Sequence, residues 1–170
     1  MEGFEKICAE DLGNAFEMIG KEWMLICAYD RDNGRLNAMT ASWGCFGVLW
    51  NKKVCVCFVR PQRHTHKLLE EHNRFSVAFF DEKYRDVLKL CGTESGRDLD
   101  KLASCNVDVA ECDGVGVIAE AKAFLVCKKL YEDQLKEDCF IESDVMATYR
   151  DKKDFHTVYV CEIEAAYLKK

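Results

Sequence analysis

Residues 37–43, Asn-Ala-Met-Thr-Ala-Ser-Trp, put small and hydroxyl-bearing side chains where a buried strand would carry bulky ones. Small side chains let a ligand approach the backbone, and Thr40 and Ser42, two apart, offer hydroxyl donors on one face of an extended chain. Trp43 can cover a flat ring. A barrel strand turning a tight corner would explain the same residues. A second segment, Arg60-Pro-Gln-Arg-His-Thr65, follows an apolar run and sets two arginines beside a predicted helix start. Arginine grips phosphate through two parallel donors, and helix N-termini attract anions. The alternative is a solvated basic loop. In a third segment, Cys91 to Lys101, Ser95, Gly96 and Arg97 open another predicted helix, with Lys101 one turn beyond Arg97. Those two cations would share a face and reach one anion. Helix capping plus an Asp–Lys surface pair is the alternative.

Other chemistries lack their residues. There is no G-x-S-x-G, H-E-x-x-H or G-x-x-x-x-G-K-[ST] pattern and no G-x-G-x-x-G dinucleotide fingerprint. His64 and His66 flank Thr65, but no carboxylate or cysteine adjoins them, so no metal site is expected. No side chain is singled out as a catalytic acid, base or nucleophile. Eleven cysteines include no C-x-x-C pair, and most lie inside apolar runs. They read as small buried hydrophobes in a reducing compartment. A net charge of -6 argues against nucleic acid as a partner. No apolar run approaches the ~20 residues that span a bilayer, and Met1 to Lys6 carries no signal-peptide pattern. No membrane partner is expected, and the cytoplasm is the expected location.

Positioning these segments requires mostly strands. A helix is predicted over Ala9–Ile19, with Leu12, Phe16 and Ile19 on its apolar stripe and Gly20 past its end. Strands are predicted over Trp23–Tyr29 and Leu36–Trp43, joined at the Asn33-Gly34 turn, then over Val54–Val59 and Phe75–Phe80. A short helix over His66–His72 would be capped by Thr65. Helices over Tyr84–Cys91, stopped by Gly92, and Arg97–Ala103, opened by a Ser95/Asp98 capping box, follow. Val115–Cys127 and Phe155–Ile163 return to strand. Between them Glu132–Asp154 has eight acidic and four basic residues and reads as an exposed face. The 170 residues suit one domain, mainly β with peripheral helices, folded as a closed or nearly closed antiparallel barrel.

The three segments in this order, with Lys128–Ile141 behind them, resemble the flavin-reductase-like family, and flavoredoxin-type proteins most of all. The resemblance runs from about Trp23 to Glu164. It implies an FMN-binding split β-barrel that pairs as a homodimer, with FMN near the subunit interface. Asn37, Ala38, Met39, Thr40, Ala41, Ser42 and Trp43 would then contact the flavin ring and ribityl chain. Arg60, Arg63 and Thr65 would hold the phosphate end, while Ser95, Gly96, Arg97 and Lys101 would close the site. His64 stands where relatives often carry an aromatic residue. The activity implied is hydride transfer from NADH or NADPH to the flavin. The alternative is an electron carrier loaded by a redox protein partner.

Overall fold

The computed structural model describes residues 1–170. Its strands are β1 (Phe4–Ile7), β2 (Met24–Asp30), β3 (Arg35–Ala41), β4 (Gly44–Leu49), β5 (Lys52–Val59), β6 (Arg74–Phe79), β7 (Val109–Cys112), β8 (Val115–Ile118), β9 (Ala123–Gln134) and β10 (Thr157–Lys169). Five short helices accompany them: α1 (Ala15–Glu17), α2 (His64–Glu71), α3 (Arg85–Thr93), α4 (Lys101–Ser104) and α5 (Ser143–Ala147). No helix is long and apolar enough to cross a membrane.

The main sheet runs β3-β2-β6-β9-β10-β5-β4, antiparallel throughout, with β1 added on the far end of β10. Its two end strands, β3 and β4, are consecutive in the chain and joined by Ser42 and Trp43 alone. The three steps from Ala41 to Gly44 span at most about 11 Å. The sheet must therefore curl until its ends nearly meet, yet no ladder closes the seam. The expected barrel is present as a split one, and the gap lies beside residues 39–43.

Alternation along β2 explains its continuous apolarity. Met24, Ile26 and Ala28 face the barrel interior with Met39, Val59, Phe79 and Tyr159. Leu25 and Cys27 face a second core beneath α3, α4 and the β7–β8 hairpin, with Ala38, Leu88 and Phe124. Burying each large side chain contributes roughly 1.5–3 kcal/mol. Cys27, Cys55, Cys57, Cys91, Cys112, Cys127 and Cys161 are buried and free, as expected, while Cys8, Cys45 and Cys139 are exposed.

Several local expectations give way. The helix over Ala9–Ile19 is broken by Gly13, whose φ of 108° leaves the helical region, and Asn14 restarts the chain by capping the Phe16 N–H. Phe16 points to solvent, and Gly20 lies inside a wide turn over Met18–Glu22. Gly92 is within α3, which ends at Thr93. Residues 115–127 form two strands, because the chain leaves β8 after Ile118 and joins β6 through the Lys122 N–H to the Phe79 carbonyl. β8 instead pairs β7 across Asp113-Gly114, both at positive φ as a two-residue hairpin turn requires. β4 is an additional strand, turned into β5 by Trp50-Asn51 at φ 53° and 56°. Gly44 begins it because a Cβ there would meet the Val56 carbonyl at 2.6 Å.

Candidate functional site

Two adjoining cavities open along the seam. One of about 220 Å³ is lined by Met39, Thr40, Ala41, Ser42, Trp43, Phe58, Arg60, Arg63 and His156. The other, about 90 Å³, is lined by Met39, Gln62, Arg63, His64, Thr65, Thr93, Glu94, Ser95, Gly96 and Lys101. Met39 and Arg63 belong to both. A roomier groove of about 480 Å³, between β2 and the β7–β8 hairpin, shares no residue with them. The seam is favoured because Arg63 and Lys101 converge there without carboxylate partners.

The smaller cavity owes its character to a helix end. The last carbonyls of α3 have no partners within the helix, and the helix dipole makes them negative. Arg63 donates through Nη1 to Gly92 O (2.7 Å) and through Nη2 to Cys91 O (2.8 Å). Lys101 Nζ donates to Ala38 O on β3 (2.5 Å), with Glu94 O at 3.4 Å and Cys91 O at 3.5 Å. Lys101 is 4% exposed, and neither cation has a carboxylate partner. Burial lowers the pKa of both, and Arg63 adds repulsion at Lys101. An anion placed between them would reverse that strain, since attraction is strong where water is excluded. The α2 N-terminus adjoins, with no side chain capping its free N–H groups.

Thr65 is therefore not the cap: Arg63 occupies that position, and Thr65 sits in the first turn. Its hydroxyl accepts from Asn37 Nδ2 (2.8 Å), tying β3 to α2. Asn37 in turn needs Gly96, where a Cβ would fall 1.9 Å from Asn37 Oδ1. Gly96 O accepts from Arg35 Nη2 (2.8 Å). The predicted helix over Arg97–Ala103 is shorter. Asp100 caps α4 through the Ala103 N–H, and residues 95–99 form a turn in which Ser95 Oγ accepts from the Arg97 N–H. Arg97 and Lys101 therefore share no helix face. Arg97 reaches out to Gln62 O (3.1 Å), whereas Lys101 points inward. Asn37, Ala38 and Arg97 brace the cavities, while the other expected residues line them.

The larger cavity has an aromatic and backbone-rich wall. Thr40 is committed, since its hydroxyl donates to Leu88 O. Trp43 is 49% exposed, with its ring 5.1 Å from that of His156. Arg60 pairs with Asp154 (2.5 Å) over the Tyr149 ring, and Gln62 Nε2 donates to the other oxygen of Asp154 (2.6 Å). His156 shares a hydrogen bond with Tyr149 at Nδ1 (2.8 Å). Burial, then the nearby Arg60, push His156 down to about 4, so it is neutral at pH 7. Asp154 closes the acidic segment read as an exposed face, His156 falls at the start of the strand predicted over Phe155–Ile163, and nothing periodic marks either. The arrangement suits a flat ring beside Trp43 carrying an anionic tail that ends between Arg63 and Lys101.

A family model described as flavin reductase like domain matches residues 18–170. Comparison with curated protein sequences finds no match. Among solved structures, an FMN-binding domain of a flavin reductases-like enzyme from Shewanella baltica OS155 shares 18% identity at TM-score 0.70, over 98% of this chain and 77% of its own. Flavoredoxin from Methanosarcina acetivorans shares 22% identity at TM-score 0.67, over 98% and 76%. The styrene monooxygenase flavin reductase from Pseudomonas putida S12 shares 15% at TM-score 0.63, over 85% and 77%. At these identities the likeness is one of fold.

Proposed function

Since the chain belongs to the flavin reductase like domain family, we propose that it binds FMN in the seam and acts through it as an oxidoreductase supplied by NADH or NADPH. The observation that carries this reading is the buried pair Arg63 and Lys101, two cations held only by carbonyls at the foot of a ring-sized slot. The residues fit the cofactor: the pair and the α2 N-terminus would hold the phosphate, and residues 39–43 the ring and ribityl chain. When bound, FMN supplies the redox chemistry, accepting and returning two electrons. The protein's part is to bind, orient and exclude water. Half-exposed Trp43 and, with its ring 5.1 Å away, His156, uncharged and tied to Tyr149, line the slot side by side. No side chain need act as acid or base.

A second reading, an electron carrier loaded by a protein partner, has its own support. Glu137, Asp138, Glu142 and Asp144 stand exposed on the segment that leads to Asp154 at the mouth of the slot. Such a face speeds encounter with a basic partner. One experiment separates the readings. The absorbance spectrum of FMN-loaded protein is followed anaerobically through NADH, then NADPH, then dithionite. Bleaching by a nucleotide supports the reductase and names its donor. Bands that persist until dithionite support the carrier. Flavin bands absent after FMN is supplied and excess removed would overturn both.

A further inference from the structure

Asp30 closes β2 and is 1% exposed. Its Oδ1 accepts from the Asn33 N–H (3.2 Å), and its Oδ2 accepts from Asn33 Nδ2 (2.8 Å) and His64 Nε2 (2.7 Å). Burial would raise this carboxyl, but the hydrogen bonds from His64 and Asn33 bring it down to about 2. An ionised carboxylate only accepts, so Nε2 of His64 carries the proton. That bond fixes the ring, because turning it over would break the contact with Asp30. Gly96 fits against the ring, and a Cβ there would stand 3.2 Å from His64 Cδ2.

Nδ1 is then the one polar atom of the ring left over. It is buried and has no hydrogen-bond partner in the protein. A desolvated nitrogen without a partner is costly and rare in folded proteins. It belongs to a residue that lines the same cavity as Arg63 and Lys101. Charge gives the complement. Arg63 and Lys101 bring two positive charges, which balance a phosphate monoester of nearly two negative ones. Asp30, and Glu94 on the cavity wall, leave negative charge in excess. A hydrogen on Nδ1, beside the one Nε2 gives to Asp30, would let the ring donate to the ligand as well.

We propose that His64 is the group by which this site selects a phosphorylated ligand, donating from Nδ1 to a phosphate oxygen, and that Asp30 is its positioning residue. This rests on the FMN reading above and assigns its phosphate selectivity to a side chain. Glutamine keeps a donor near the Nε2 position and lacks one at Nδ1, so His64→Gln removes the proposed contact and spares the bond to Asp30.

FMN and riboflavin are titrated into wild type and His64→Gln, and the side-chain ¹⁵N signals of His64 are recorded in wild type with each ligand. The expected result is FMN affinity about tenfold weaker or more in His64→Gln, as for loss of a charged hydrogen bond, with riboflavin affinity unchanged. The Nδ1 signal should move to a protonated shift with FMN and stay put with riboflavin. Equal losses for both ligands, no loss, or an Nδ1 signal indifferent to FMN would overturn the assignment to His64. Should His64→Gln not fold, the wild-type Nδ1 signal decides alone. Wild type binding neither flavin would instead sink the FMN reading itself.

Discussion

Charge at single residues is set here by carbonyls and burial more than by sequence neighbours. Arg63 and Lys101 were visible in the sequence as cations near helix starts, but what makes them a site is the α3 C-terminus that receives both. Arg97 looked equivalent and is not, because the turn before α4 sends it outward to Gln62. His156 has a measurable consequence. An unfolded histidine titrates near 6.5 and His156 in the fold at about 4. Between those values the unfolded chain binds more protons, so stability falls as pH drops through that window. Urea midpoints measured from pH 7 to 4 should show this slope, and His156→Asn should flatten it. Identical slopes would mean that His156 is not held neutral. Neither Asp30 nor His156 is legible in the sequence as a site residue, because each gains its role across the chain: 34 residues separate Asp30 from His64, and His156 lies against Trp43.

Strong elements were legible and irregular ones were not. β2, β3, β5, β6 and β10 declare themselves by apolar runs and alternation. β4 does not, since Gly-Cys-Phe-Gly-Val-Leu lacks period-two patterning and its turn, Trp50-Asn51, uses no glycine. The Asp113-Gly114 turn is a readable hairpin signal directly before the strand predicted over Val115–Cys127. β4 matters for assembly. It is an edge strand, and it presents Val48 (77% exposed), Leu49 and Trp50, with Tyr131 packed beside Trp50. Free edges with apolar side chains invite another chain. A second copy of the protein is the proposed cover, in line with the homodimer that the family resemblance implies. Val48 stands opposite Lys53 in the ladder, so Val48→Glu is accommodated by the fold and should oppose pairing. Sedimentation should give a dimer for wild type and a monomer for Val48→Glu. A wild-type monomer would remove the proposal.

For the whole molecule, the two-residue step from β3 to β4 fixes both the curl of the sheet and the place of the candidate site. The seam that stays unpaired is where backbone, Trp43 and the α2 N-terminus meet, and the acidic segment before β10 folds back to its rim through Asp154 and His156. The sequence order of the three motifs foretold that convergence, though not how the cations divide: Lys101 joins Arg63 in the small cavity, while Arg60 belongs to the larger one. The most direct test titrates FMN and riboflavin into wild type and Lys101→Met. The account predicts that wild type holds FMN at least about tenfold more tightly than riboflavin, as charge-assisted phosphate contacts would give, and that Lys101→Met loses most of that preference. Equal affinity of wild type for the two flavins, or a preference that survives Lys101→Met intact, would contradict it.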